Sequence, residues 1–143
     1  MTVPLVPPPT PPPPPRPVYR PSPAELLAVA RAVSGAGGGA FGGSWARAAT
    51  FLIRQALERA VDTVWTGPLA GVAACPRTTT LLCLRRYLGD DDLAADVHAT
   101  WAQLSSACHA HAYELEPTLG ELRRWGDVVD RLIAALAPRK VGP

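Results

Sequence analysis

Residues 101–118 read WAQLSSACHAHAYELEPT. On a helical wheel of ~100° per residue, Leu93, Val97, Trp101, Leu104, Cys108, His111 and Leu115 fall on one stripe. That period predicts an amphipathic helix over about 92–114, stopped by Pro117. Asp90, Asp91 and Asp92 put negative charge at its start, where the helix dipole favours it. His109 stands ~200° from His111, so it faces another way, near the flank of His98 and Ser105. Two histidines at that spacing on a helix cannot both ligate one metal ion. The spacing suits a strand, and no stretch of the chain alternates with period two.

The neighbouring segments carry the same helical period. Thr118 and Glu121 form a capping box that opens a helix over about 119–136, with Leu122, Trp125, Val129, Leu132, Ile133 and Leu136 as its stripe. Upstream, Pro76 starts a helix over about 76–88 with Leu81, Leu84 and Leu88 inward and Gly89 as its stop. Arg85 and Arg86 sit near that stop, where positive charge suits the dipole. Ser44 opens a longer helix over about 45–65, with Trp45, Ala49, Leu52, Ile53, Ala56, Ala60 and Val64 inward. Arg47, Arg54 and Glu58 are expected on its opposite face, and Arg59 at the margin of its stripe. Residues 67–75 read as a loop.

The first third of the chain differs in composition. Twelve of the 17 prolines lie at or before Pro23. Residues 1–21 are therefore expected as a disordered or polyproline II tail. Residues 22–34 predict a short helix opened by the Ser22–Glu25 capping box. Residues 35–43 hold six glycines in nine positions and read as a linker; no Lys-Ser/Thr follows and no strand precedes, so this is no phosphate loop. The expected architecture is all-α: a four-helix up-and-down bundle over 44–137, an additional short N-terminal helix, the proline-rich tail and a frayed end at 138–143.

Composition narrows the function classes. The net charge of +2 is scattered, which gives no DNA signal. Cys75, Cys83 and Cys108 form an odd set without a CxxC pair, and no apolar leader precedes them, so a reduced, cytoplasmic setting is expected. No apolar run approaches the ~18 residues of a membrane span. Cys108 and His111, three apart, would need two further ligands from elsewhere, and their spacing fits no zinc pattern, so neither metal nor cofactor is expected. A Cys108–His111 nucleophile pair would have no glycine-rich turn nearby to supply an oxyanion hole. An inward His111 needs a partner for a ring nitrogen. Two readings follow: a core histidine that ties helices together, or one wall of a polar pocket with Trp101, Cys108 and Tyr113.

The helix ARAATFLIRQALERAVDTVW (Ala46–Trp65), a shorter helix, a helix ending CHAHAYEL (Cys108–Leu115) and a closing amphipathic helix together resemble a HEPN-type four-helix domain. That resemblance covers about 44–136 and implies a dimer whose helices line an RNA-cleaving cleft. Active members of the family carry an arginine four to six residues before a histidine. No such pair stands before His98, His109 or His111 here. The resemblance therefore implies a non-catalytic member, with His111 in the histidine's place and only Arg59 or Arg85, from other helices, to supply a guanidinium. Three functions follow as expectations. The first is a non-catalytic module that binds a protein partner, itself or RNA. The others are a HEPN-like ribonuclease or toxin-type enzyme using His111 with Arg59 or Arg85, and a small-molecule-binding bundle.

Overall fold

The computed structural model describes residues 18–35, 42–109 and 115–138. The described residues form helices and no strand. They are α1 (Pro23–Gly35), α2 (Trp45–Asp62), the single turn α3 (Ala70–Ala73), α4 (Arg77–Leu88), α5 (Asp91–His109) and α6 (Leu119–Leu136). Short 3-10 turns precede α2 and α3. The all-α expectation holds. Most of the proline-rich tail and most of the glycine-rich linker lie outside the described residues.

Local signals set the helix ends. Ser22 Oγ accepts from Glu25 N at 3.2 Å while Ser22 N donates to the Glu25 carboxylate at 2.7 Å. Thr118 and Glu121 repeat this at α6, at 3.2 and 2.8 Å. Each box satisfies two otherwise orphaned backbone donors. Asp90 opens α5 by accepting from Leu93 N at 2.9 Å. Gly89 closes α4 in the left-handed region at φ 65°, which a side chain would disfavour.

Three places differ from expectation: residues 67–75, read as a loop, hold a 3-10 turn (Gly67–Leu69) and α3, α2 ends early, and Leu115 is not inward. The α-helix of α2 stops at Asp62, not near residue 65. Thr63 Oγ1 donates to Ala60 O at 2.6 Å, and the Thr63 amide is shared between Arg59 O and Ala60 O, so the last turn tightens. Val64 and Trp65 are buried all the same, and Trp65 meets Tyr87 edge-on with ring centroids 6.2 Å apart. Leu115, expected inward, is 97% exposed. Leu115 falls on the non-helical approach to Thr118. Within described α5 the stripe is real: Leu93, Val97 and Leu104 are buried, and Trp101 and Cys108 are half-buried.

Packing gives α1 a larger part than an accessory helix. It buries Leu26, Leu27, Ala30 and Val33 and packs on both α2 and α6. Residue pairs fix the directions. Arg59, late in α2, donates to Pro21 O just before α1, so α1 and α2 run antiparallel. On α5 and α6, Trp125 Nε1 donates to Gln103 Oε1 at 2.7 Å and Arg131 pairs with Asp96 at 2.8 Å, again antiparallel. Arg31 of α1 reaches Asp130 of α6 at 3.0 Å and Asp127 at 3.5 Å. α2 also packs on α5 and α6, while α4 packs mainly on α5 and touches α2 lightly. The fully buried leucines Leu57, Leu84, Leu104 and Leu132 come from α2, α4, α5 and α6, and each contributes roughly 1.5–3 kcal/mol by leaving water.

Candidate functional site

Of the described residues in the 101–118 run, Trp101 and Cys108 face α2. Trp101 Nε1 donates to Glu58 Oε1 at 3.2 Å across the α2–α5 seam. The same oxygen accepts from Arg54 Nε at 3.1 Å, one helical turn earlier on α2. Arg54 and Glu58 were expected on the face opposite the core. They lie instead at the core's margin, with side chains 23% and 20% exposed. Burial pulls the Arg54 pKa down, but the hydrogen bond and charge of Glu58, joined by Cys108 from α5, outweigh it and the net shift is upward. Glu58 thus holds two donors on one oxygen and serves as an anchor for both helices.

Cys108 completes this seam as a half-buried free thiol. Ser105 Oγ, also on α5, is buried without a hydrogen-bond partner among the described residues. His98 and His109 are exposed. His111 and Tyr113, the remaining members of the expected pocket, lie outside the described residues. Among the described residues no group of three His, Cys, Asp or Glu side chains could hold a metal ion.

The two arginines offered as catalytic partners are engaged elsewhere. Arg59 donates to Pro21 O and lines a shallow cleft with Arg20, Pro23, Asp62 and Thr63, on the α1 side of α2. Arg85 binds Asp91 through two hydrogen bonds of 2.7 Å each. That pairing raises the Arg85 pKa and lowers that of Asp91. Asp91 and Cys108 stand near opposite ends of α5, roughly 25 Å apart at ~1.5 Å per residue. The structure therefore brings Trp101 and Cys108 to one seam and places Arg59 and Arg85 away from it.

Sequence reasoning missed two other features. A groove between α5 and α6 is lined by Gln103, Thr100, Arg123, Arg124, Arg131 and Asp96, with Gln103 tied to Trp125. A second, more enclosed cleft of about 220 Å³ lies between α1 and α6, over Leu27, Ala30, Ile53, Leu122 and Gly126. The Arg54–Glu58 pair was legible as an i,i+4 spacing. The cleft had one signal, a glycine in the middle of an otherwise apolar helical stripe.

No protein-family model, curated protein or solved structure matches the chain significantly.

Proposed function

We propose that the chain is a non-catalytic interaction module: an up-and-down core of α1, α2, α5 and α6, buttressed by α4, that self-associates. The observation that carries this reading is the engagement of Arg59, Arg85 and Glu58, each held by a partner that ties segments of the fold together. Placed in this way, Arg59 and Arg85 stand away from the Trp101–Cys108 seam, and Glu58 is hydrogen-bonded within it. What the surface offers instead is large apolar side chains: Phe51 on α2 and Leu82 on α4 are 56% and 68% exposed. In this proposal Phe51 and Leu82 belong to the association face, which buries apolar side chains of this size. The resemblance to a HEPN-type domain adds to this reading, since such domains pair; its RNA-cleaving form would need Arg59 or Arg85 to leave a present partner. No described helix is long and apolar enough to cross a membrane.

RNA turnover separates the two classes. Incubated with single-stranded and structured RNA, the full chain leaves both intact, and Arg59→Ala, Arg85→Ala and His111→Ala behave like the parent. Cleavage that disappears with His111→Ala would replace the interaction module by an enzyme.

A further inference from the structure

The α1–α6 cleft goes beyond the association reading, because its shape and charge describe a small ligand. Its floor is apolar: Leu27 and Ala30 from α1, Ile53 from α2, Leu122 from α6. Gly126 lies in that floor, in the middle of α6 and buried. A Cβ built there would meet only Leu27 Cδ1, at 3.5 Å, an ordinary contact. Its backbone has no positive φ. Neither close packing nor backbone geometry therefore requires a glycine, which is a poor helix residue. Its effect is to leave open space beneath the cleft.

Two arginines and two aspartates stand at the mouth of the cleft, so its charge sums to zero, but the groups are unequally paired. Arg31 is held by Asp127 and Asp130 at 3.5 and 3.0 Å. Arg123 lines the same cleft and has no carboxylate within 4.0 Å among the described residues. An apolar slot with one guanidinium that has no ion-pair partner among the described residues can take a molecule with an apolar body and one anionic end on that guanidinium. The volume of about 220 Å³ exceeds the roughly 150 Å³ that admits a benzene ring, and so accommodates a body of roughly eight to ten non-hydrogen atoms.

We propose that this cleft is a binding site for a medium-chain or small aromatic carboxylate, with the carboxylate on Arg123 and the chain over Gly126. Binding clamps α1 onto α6, because both helices supply walls.

Calorimetric titration of the full chain with octanoate tests this. The expected result is saturable one-to-one binding that weakens at least about tenfold in Arg123→Gln, since a charge-assisted bond is lost. Arg124→Gln removes an equal charge from a neighbour that does not line the cleft, and binds as the parent does. Uncharged 1-octanol binds the parent and Arg123→Gln alike. Gly126→Val fills the floor and abolishes binding of both probes while the helical circular dichroism is retained. Should Gly126→Val not fold, the exposed Arg123→Gln still decides the matter. Absence of saturable octanoate binding up to about 10 mM, or equal affinity of the parent and Arg123→Gln, overturns the proposal.

Discussion

Trp101 and Glu58 face each other across the α2–α5 seam, the indole N–H donating to a carboxylate oxygen at 3.2 Å that also accepts from Arg54. This places a polar anchor beside the apolar packing of the seam. Trp101→Phe keeps the ring and removes one donor, at a cost of about 1 kcal/mol in urea unfolding. Glu58→Leu costs more, about 1–3 kcal/mol, because it strands the half-buried Arg54 guanidinium as well. In a double-mutant cycle the two changes are non-additive. Additive values would show that the contact carries no energy.

The capping boxes make stability depend on acid. Tyr19 first, then the backbone and side chain of Ser22, lower the Glu25 pKa to about 2. The Thr118 backbone, then its side chain, lower the Glu121 pKa. A carboxylate with a depressed folded-state pKa contributes stability that is present above its unfolded pKa of ~4.3 and is lost as pH falls through the folded value. Melting temperature is therefore expected to fall between about pH 4.5 and pH 2. Glu121→Gln lowers it at neutral pH and flattens the acid limb. An unchanged acid limb in Glu121→Gln would remove the α6 box from this account.

Gly126 gives a prediction of opposite sign. Gly126→Ala adds helix propensity and introduces only a 3.5 Å contact with Leu27 Cδ1, so thermal unfolding should report a gain of about 0.5–1 kcal/mol. A loss of stability would mean that the cleft floor does not tolerate a methyl group.

Burial along α5 and beyond separates two leucines that share a sequence pattern. Leu104 is fully buried and Leu115 is 97% exposed. Leu104→Ala is expected to cost about 2–5 kcal/mol, and Leu115→Ala to fall within about 0.5 kcal/mol of zero. Equal costs in chemical denaturation would contradict the described packing.

The contrast also shows what could be read from residues alone. Capping boxes at Ser22 and Thr118, the glycine stop at Gly89 and the stripes of α2, α5 and α6 are local signals, and the helices follow them closely. Partner choice between helices is not local. Nothing near Leu27 or Ala30 says that α1 packs between α2 and α6 and is no appendage. Nothing near Glu58 says that an indole 43 residues away will reach it. The Cys-His-x-His run drew attention by composition, yet of its described members Cys108 joins the seam and His109 is exposed, while the α1–α6 cleft announced itself only as a missing side chain at position 126.

Association is the central claim, and sedimentation velocity of the full chain measures it. The account predicts a species of twice the 15.1 kDa chain mass that shifts toward monomer in Phe51→Glu or Leu82→Glu, with helical content unchanged. A parent chain that stays monomeric across micromolar to millimolar concentration would contradict it.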